Sequence, residues 1–600
     1  MRLRLFLSCL LCLPASFLYA AGIRLIDAYP DKARYAPSEP VNLVVELEGK
    51  PEANEQLTAA VWQLAQKVGQ CDAVNIGPDS NMIQNLHCSV PNQDFRGYLV
   101  TVQLVGADGH VLEERQTAID VSSDWKRFPR YGYLAHYNAG EGTDPQSWIA
   151  ELNRFHINGL QFYDFQYRHD RPLAGTVAQP AASWKDIAGR PVDGAIVTDL
   201  IAQAHRYNMM AMAYNASYSS YDDAFTKSKD SLPLKWAIFT TPNGPRTAAS
   251  AKSLELHPSG GWSTNRLFYM NLNDAGWQQY LFAQMHELFE VYPFDGWHVD
   301  TFGDKGGYAF NGAPVSYIDG FRSFIDNASS TLQKRIVFNA VGTLGQERIA
   351  QSAAEFVYSE LWEDQETFAG ILTTSEQVHF ANPKDGFVIA AYLHKAPEVG
   401  PIPTNKEFNL PSVLLADAAI FASGADHIEL GDGNRMLSRE YFPDDKRLAI
   451  SPELHEALRH YYDFLTAYES YLRNYREACN VQVKIANQMS NPLAVPNTIW
   501  TIARRTEGAT VIHLINLLGS NDPHWRDVMM TRPVPPSLEN VQVQIAIPGD
   551  VTSVGWASPD HEGGQFHAIP FQAYKVGSDT SLEFTLPNLQ YWDAVFIQNN

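Results

Sequence analysis

The stretch PFDGWHVDTFGDKGG, residues 293–307, places an acidic residue at the end of an apolar strand. Residues 296–303 have the pattern of a short buried strand, and glycines crowd its exit at positions 303, 306 and 307. Carboxylates are seldom buried without a partner, so the position of Asp300 needs an explanation. The explanation comes from the sequence on either side, where similar short apolar strands recur.

A strand followed by a helix recurs eight times between residues 130 and 431. Helical patterns separate most of the strands, for example at 195–208 and 277–292. Eight such units in this length are typical of a (β/α)8 barrel rather than an open sheet. Long loops at about 167–193 and 217–270 are rich in glycine, proline and aromatic residues and are expected to wall a cleft. The predicted strands are residues 130–137, 159–166, 209–216, 296–303, 336–342, 356–362, 387–394 and 426–431.

The regions on either side of this barrel consist of short alternating runs that predict β-sandwiches. The N-terminus has two arginines, an apolar run and a small-residue exit, which predict a cleaved signal peptide and export to the periplasm or the medium. The predicted organisation is a signal peptide at 1–20, a β-sandwich at 21–127, the barrel at 128–475 and a C-terminal antiparallel β-domain at 476–600.

Composition narrows the range of partners. A net charge of −22 in 600 residues argues against nucleic acid, and no apolar run after the signal is long enough to span a membrane. With 12% aromatic residues, the acidic chain suits a neutral hydroxylated ligand, and we expect a monomer. An exported protein permits a disulfide between Cys71 and Cys88, although two thiols fit the sequence equally well. Cys479 is expected to be a buried thiol, and no cysteine spacing predicts a metal site.

Polar residues end most of the predicted strands, where a barrel builds its active site. A single carboxylate there is more often a helix cap or an ion-pair partner, so only the whole ring indicates a site. Two carboxylates are the minimal machinery for cleaving a glycosidic bond. Asp300 and Glu360 end the fourth and sixth strands, which face each other across the barrel, so we expect them to flank one bond. The ring comprises His136, Asp164, Asn215, Asp300, Asn339, Glu360, His394 and Glu429.

Five separated segments then carry a family likeness: FPRYGYLAHY (128–137), HINGLQFYDFQYRHDRPL (156–173), FDGWHVDTFGDKGG (294–307), FVYSELWED (356–364) and IFASGADHIELGDGNRMLSREYFP (420–443). In this order they resemble glycoside hydrolase family 66, the dextranases and the cycloisomaltooligosaccharide glucanotransferases. The resemblance implies an immunoglobulin-like domain, a (β/α)8 barrel and a C-terminal β-domain. It also implies that Asp300 is the nucleophile and Glu360 the acid/base, with Glu363 as the less favoured alternative. No metal and no organic cofactor are implied.

The resemblance further implies cleavage of α-1,6-linked glucan with retention, through a covalent glucosyl-enzyme. Cyclising members carry an inserted carbohydrate-binding module, whereas only a short stretch separates Glu360 from Glu429 here, which favours an endo-dextranase acting on dextran to give isomaltooligosaccharides. The alternatives are a cyclising glucanotransferase, a barrel enzyme on another α-glucan, and a non-catalytic glucan-binding protein. The predicted substrate-binding residues are His136, Tyr163, Asp164, Trp297, His298, Asn339, His394 and Glu429.

Overall fold

The structure is a computed structural model. No helix among the described residues is long and apolar enough to cross a lipid bilayer. The predicted signal peptide, residues 1–20, lies outside the described residues. The described residues are 22–51, 54–226, 231–256, 261–394, 406–438, 448–474, 477–479, 481–506, 508–577 and 579–599.

Seven antiparallel strands near the N-terminus form one sheet around their own apolar core. Alternate residues of the second strand, such as Val41, Leu43 and Val45, are buried, and those between them are partly exposed. Cys71 and Cys88 lie opposite each other on neighbouring strands and form the disulfide that the sequence left open. The strands are Arg24–Pro30, Val41–Glu48, Glu55–Gln63, Gln66–Ile76, Ile83–Ser89, Arg96–Val105 and Val111–Val121.

Eight parallel strands follow and form a sheet, here called the curled sheet, in which consecutive strands are neighbours. The eighth strand is in two pieces: Asp426–His427 pairs with the seventh strand and Leu430–Gly431 pairs with the first. The sheet therefore curls until its first and last strands meet, which confirms an α/β fold with a barrel-like sheet. The other seven strands are Tyr131–Leu134, Gly159–Phe162, Met210–Ala216, Gly296–Asp300, Arg335–Val341, Val357–Glu360 and Phe387–Ala390, most of them shorter than the sequence predicts.

Helices cover the outer face of the curled sheet, and alternate side chains of each strand face opposite sides of it. In the fourth strand, Trp297 points outward and packs against Phe282 and Phe324 of two helices. His298 and Asp300 point inward. Side-chain N-caps start many of the helices, namely Asp144, Asp274, Ser316, Thr367, Asn409 and Ser451. The helices are Pro145–Arg154, Gly194–Arg206, Ala275–Val291, Tyr317–Leu332, Gln346–Ala350, Phe368–Ala381, Leu410–Ala422, Pro452–Ala467 and Glu469–Leu472.

The predicted cleft-wall loops hold small sheets of their own. Two strands, Ser183–Lys185 and Pro191–Asp193, pair after the second parallel strand. Three more, Ser219–Tyr221, Ser253–Glu255 and Arg266–Tyr269, pair after the third. These sheets hold the loops over the carboxyl ends of the parallel strands.

The C-terminal region contains two sheets with an apolar core between them. Val543 and Phe584 enter that core from one sheet, and Ile512 and Val595 enter it from the other. Cys479, at the start of this region, is partly exposed rather than buried. The strands are Glu477–Ala478, Val483–Ile485, Ser490–Asn491, Ile499–Thr506, Ala509–Asn516, Leu538–Pro548, Val551–Ala557, His567–Ala568, Phe571–Val576, Asp579–Leu589 and Trp592–Asn599.

A buried ionic junction joins the N-terminal sheet to the curled sheet. Arg130, just before the first parallel strand, donates to Asp120 of the N-terminal sheet at 2.6 Å and to Glu469 of the last helix at 2.7 Å. All three side chains have no exposed surface. Charges in such a place are stable only when paired and hydrogen-bonded, so Arg130 depends on both partners.

Candidate active site

A cavity of about 330 Å³ opens at the carboxyl ends of the parallel strands. Its floor comes from the curled sheet, and one wall is the apolar surface of the loops that follow the second and third strands. The floor includes Tyr163, Asp164, Tyr214, Asp300, Asn339, Glu360, Trp362 and Tyr392, and the apolar wall includes Ile187, Leu254, Leu256, Trp262 and Leu267.

The predicted catalytic carboxylates are joined by one amide. Nδ2 of Asn339 donates to Oδ1 of Asp300 at 2.7 Å and to Oε1 of Glu360 at 2.9 Å. The two oxygens are therefore separated by at most the sum of these distances, about 5.6 Å. Both carboxyl groups are partly exposed to the cavity. The pair can thus face the two sides of one small group.

Asp300 is surrounded by hydrogen-bond donors. The Tyr214 hydroxyl donates to Oδ2 at 2.5 Å, and the backbone N–H of Thr301 donates to Oδ1 at 2.8 Å, in addition to the Asn339 amide. Burial raises the pKa of Asp300 above its usual value, and these three bonds act in the opposite direction. The donors favour the carboxylate form, which is the form that can act as a nucleophile.

Glu360 lies in a different environment. Trp362 Nε1 donates to it at 3.0 Å and the Tyr392 hydroxyl at 3.3 Å. Burial, and then the negative charge of Asp300, raise the pKa of Glu360 to about 7. A carboxyl group with this pKa can hold a proton and release it near neutral pH, as general acid catalysis requires.

His298 lies one layer below the two carboxylates. Its ring stacks on Tyr131 and Tyr214, and its Nδ1 is 3.1 Å from the Tyr131 hydroxyl. Burial lowers the pKa of His298 to about 3, so the ring is neutral. The ring is not part of the cavity surface. The predicted contact of His298 with sugar is therefore corrected, because the ring packs between Tyr131 and Tyr214 and does not reach the cavity.

Three of the predicted sugar-binding residues do line the cavity, namely Tyr163, Asp164 and Asn339. Asp164 ends the second strand region in a left-handed conformation, with φ of 51°. Burial raises the pKa of Asp164 to about 7, while the nearby Arg190 guanidinium opposes that rise. A buried carboxyl group with one long side-chain hydrogen bond, from Gln166 at 3.3 Å, has acceptor capacity left for a ligand.

Trp297 and Glu429 lie outside the cavity, which corrects both predictions. The Trp297 ring has no exposed surface, and its Nε1 donates to Asn215 at 2.7 Å. Asn215 therefore faces the helices too. Glu429 is also fully buried and accepts from the Tyr462 hydroxyl of a helix at 3.0 Å. The reason in each case is the strand period of two, which turns these residues away from the inward positions.

His136 and His394 are also placed elsewhere. Nδ1 of His136 lies 3.2 Å from Asp432, and that of His394 lies 2.8 Å from the backbone carbonyl of Asp527. Both rings are buried by loops that pack over them, and neither lines the cavity. Their predicted contacts with sugar are corrected, because each ring is buried against another part of the chain and lies outside the cavity.

Sequence reasoning missed Tyr214, Tyr392 and Trp262, which the structure places at the cavity. The two tyrosines had a signal: Tyr214 pairs with inward-facing His298, and Tyr392 lies two residues beyond inward-facing Ala390. Trp262 had none, because it lies in a long loop whose path depends on contacts that are distant in sequence.

Within the described ranges, the groups of three His, Asp or Glu side chains that could hold a metal ion lie away from this cavity. One is His561, Glu562 and His567 in the C-terminal region, and the other is Asp417, His427 and Glu429 behind the curled sheet. The cavity itself presents two carboxylates, hydroxyl groups and aromatic rings, which suit acid, base and nucleophilic chemistry on a neutral ligand.

The chain is similar to known glycosidases and glucanotransferases. The family model of glycosyl hydrolase family 66 matches residues 30–596. A cycloisomaltooligosaccharide glucanotransferase of Niallia circulans is 24% identical over an alignment of 743 residues, covering 99% of this chain and 75% of that protein. A dextranase of Streptococcus salivarius is 24% identical and covers 84% of this chain and 68% of its own length. The crystal structure of a Paenibacillus sp. cycloisomaltooligosaccharide glucanotransferase with cycloisomaltoheptaose has the same fold, with a TM-score of 0.86 at 23% identity over 96% of this chain and 100% of that one.

Proposed function

The chain belongs to glycosyl hydrolase family 66, as its sequence resemblance predicts, and we propose that it is a retaining endo-dextranase. It hydrolyses internal α-1,6-glucosidic bonds of dextran to isomaltooligosaccharides. One observation carries the proposal: Asp300 and Glu360 share the Asn339 amide, which holds their oxygens within about 5.6 Å. Retaining glycosidases keep their carboxyl groups about 5–5.5 Å apart, whereas inverting ones need about 6.5–9.5 Å to admit a water. The naming of relatives as dextranase and glucanotransferase supports the choice of glucan.

In the first step, a carboxylate oxygen of Asp300 attacks the anomeric carbon of the glucose at the cleavage point. The bond from that carbon to the leaving sugar oxygen breaks, and Glu360 gives its proton to that oxygen. The raised pKa of Glu360 keeps the proton available, and the three donors around Asp300 oppose the rise in its pKa that burial causes and so favour the ionised nucleophile. The products are a covalent glucosyl ester on Asp300 and a free leaving chain.

The second step uses the same two residues in reversed roles. The ester on Asp300 carries no charge, so one cause of the raised pKa of Glu360 disappears, and its carboxylate becomes a fit base. Glu360 takes a proton from water, whose oxygen attacks the anomeric carbon and releases Asp300. Two inversions at one carbon give net retention.

Hydrolysis is favoured over cyclisation because this chain is shorter than the matching part of a cyclising relative. An alignment of 743 residues with a chain of 600 requires at least 143 positions in the Niallia circulans transferase that this chain lacks. Such a difference supports the absence of the inserted binding module expected of cyclising members. The cyclising transferase is the second candidate, because the structural similarity to the Paenibacillus sp. enzyme extends over 96% of this chain.

The remaining parts of the proposal concern architecture and location. The curled sheet with its helices is a (β/α)8 barrel at 128–475, between an immunoglobulin-like β-sandwich at 21–127 and a C-terminal β-domain at 476–600. The protein is exported through a signal peptide at 1–20 to the periplasm or the medium and acts as a monomer. The junction of the N-terminal and curled sheets at Arg130 supports a fixed arrangement of the first two parts.

Incubation with dextran, starch and pullulan, followed by product sizing, tests the function. We expect a fast fall in dextran viscosity, linear isomaltooligosaccharides, and a first-formed product in the α configuration by proton NMR, with Asp300→Asn as the inactive control. Products lighter by one water and without a reducing end would identify the transferase. Preference for starch would indicate another α-glucan, a β first product would refute retention, and binding without turnover would indicate a non-catalytic protein.

A further inference from the structure

We propose that Asp417, His427 and Glu429 form a structural site for one zinc ion behind the curled sheet. Asp417 belongs to the helix Leu410–Ala422, while His427 and Glu429 lie at the split in the eighth parallel strand. One ligand atom from each side chain lies within 4.8 Å of the other two. All three residues have no exposed surface. Neither the cysteine spacings nor the family resemblance predicts this site, and the cluster contains no cysteine.

Two oxygen atoms of this cluster are poorly satisfied. Oδ2 of Asp417 and Oε2 of Glu429 are inaccessible to solvent and accept no well-formed hydrogen bond from a described N–H or hydroxyl group; Nδ1 of His427 lies 3.4 Å from Oε2, and the two carboxyl groups lie within hydrogen-bond reach of each other. A buried carboxylate oxygen without a donor is destabilising, so native proteins seldom leave one. A bound cation would supply the missing partner to both oxygens at once.

His427 is oriented as a metal ligand. Its Nε2 lies 3.2 Å from the carbonyl oxygen of Ala391, which can only accept, so Nε2 carries a proton. In the neutral ring, the Nδ1 lone pair then faces Asp417 Oδ1 at 2.8 Å and Glu429 Oε2 at 3.4 Å, which are acceptors as well. Ligating histidines commonly donate their other ring N–H to a backbone carbonyl in this way. Tyr462 completes the surroundings by donating to Glu429 Oε1 at 3.0 Å.

Charge and donor chemistry select the ion. Two carboxylates and a neutral imidazole balance one divalent cation without leaving net charge in the interior. One imidazole nitrogen with two carboxylate oxygens suits zinc, whereas calcium and magnesium prefer oxygen ligands alone. The spacing of 3.4 Å between His427 Nδ1 and Glu429 Oε2 matches two ligands held about 2.1 Å from one tetrahedral ion, and the hydrogen-bond distance of 2.8 Å between Nδ1 and Asp417 Oδ1 would lengthen when the ion binds.

The rival arrangement uses protons instead of a metal. Burial raises the pKa of Asp417 and of Glu429 well above their usual values, so protonated carboxyl groups that share a hydrogen bond would also leave the cluster without charge. One arrangement contains a zinc ion and the other contains only protons, so elemental analysis distinguishes them.

Zinc here would tie the helix Leu410–Ala422 to the eighth strand. Because Glu429 lies outside the catalytic cavity, the ion would stabilise the fold and take no part in bond cleavage. The inference is independent of the proposed substrate, and its failure would leave the carboxylate pair of the cavity untouched.

The test is the zinc content of the full-length protein produced with zinc in the medium and dialysed, measured by plasma mass spectrometry. We expect about one zinc per chain. The double variant Asp417→Asn/Glu429→Gln should lose it and melt at lower temperature. A matched control, His561→Ala/His567→Ala, removes two ligands from the other cluster and should keep it.

A second measurement decides the matter where the double variant fails to fold. The zinc K-edge absorption spectrum of the wild-type protein should show one imidazole among oxygen ligands, whereas the cluster at His561 and His567 would show two. Zinc content near zero in the wild type, loss of zinc in the His561/His567 control, or a two-imidazole spectrum would each overturn the proposal.

Discussion

Replacing Asn339 with alanine should move both limbs of the pH–rate profile to higher pH. The rate rises as Asp300 ionises and falls as Glu360 loses its proton. The Asn339 amide donates to both groups, and a hydrogen bond to an ionised carboxylate lowers its pKa. Removal of this donor therefore raises the pKa of each group, and the enzyme loses activity on the acidic side first.

The size of the shift follows from the strength of the lost bonds. A hydrogen bond to a charged group contributes about 1.5–3 kcal/mol, and 1.36 kcal/mol corresponds to about one pKa unit. Each limb should thus move by about 1–2 units, toward the lower value if water enters the space left by the side chain. Since burial already raises the pKa of Glu360 to about 7, the alkaline limb of the variant should lie near pH 8 or above.

The assay is kcat/KM on a soluble α-1,6-linked oligosaccharide over a range of about pH 4–9. Two matched variants separate the partners. Tyr214→Phe removes a donor to Asp300 alone and should move the acidic limb, and Tyr392→Phe removes a donor to Glu360 alone and should move the alkaline limb. Because the two carboxyl groups interact, each fitted value describes the pair.

Two results would refute this reasoning. A uniform loss of kcat/KM with both limbs in place would mean that Asn339 contacts sugar and does not tune the carboxylates. A shift of one limb only would mean that its amide serves one carboxylate and that the bridge is not maintained in solution.

Three further variants test the electrostatics, the sugar site and a corrected residue. The pKa of Glu360 is raised by folding, so the unfolded chain ionises first, and the stability due to this group is present below about pH 4.5 and lost as pH rises toward 7. Glu360→Gln should therefore raise the melting temperature at pH 8 relative to the wild type and not at pH 4; equal shifts at both would contradict the raised pKa. Asp164→Asn, which keeps a left-handed backbone accessible, should lower kcat/KM on dextran by at least about a hundredfold with little change in melting temperature. The reverse pattern would show that Asp164 only supports its loop. Trp297→Phe should lower the unfolding free energy by about 1–3 kcal/mol, because Asn215 loses its buried donor, and leave KM for dextran unchanged; a raised KM in a fully stable variant would restore Trp297 to the sugar site.

The α/β fold with its curled sheet and the placement of Asp300 and Glu360 side by side could be predicted from sequence, because both depend on local pattern. Each parallel strand is a short apolar run, so its position can be read to within a few residues. Asp300 and Glu360 end such runs two residues after the inward-facing His298 and Tyr358, and the strand period therefore points them into the cavity. The pair is also the least ambiguous chemistry that the chain offers.

The surrounding shell was less accessible for two physical reasons. A position near a strand end does not show which face of the sheet the side chain takes, because successive side chains point to opposite faces. Trp297 and Glu429 were predicted to line the cavity, but they face away from it. The second reason is contact over long sequence distances. Nothing near His394 indicates that the carbonyl of Asp527, 133 residues away, will bind its ring. The apolar wall around Trp262 arises in the same way.

The ionic junction at Arg130 limits how this protein can be recombined. Asp120 precedes the barrel segment and Glu469 lies near its end. If two homologous sequences were joined between residues 120 and 130, Arg130 and Asp120 would therefore come from different parents. A chimera that took its N-terminal sheet from a relative without a matching acid would bury the guanidinium with one of its two acidic hydrogen-bond partners missing. In libraries of recombined sequences, Asp120, Arg130 and Glu469 should therefore come from the same parent. A catalytic fragment that begins at residue 128 lacks Asp120 and should express poorly for the same reason.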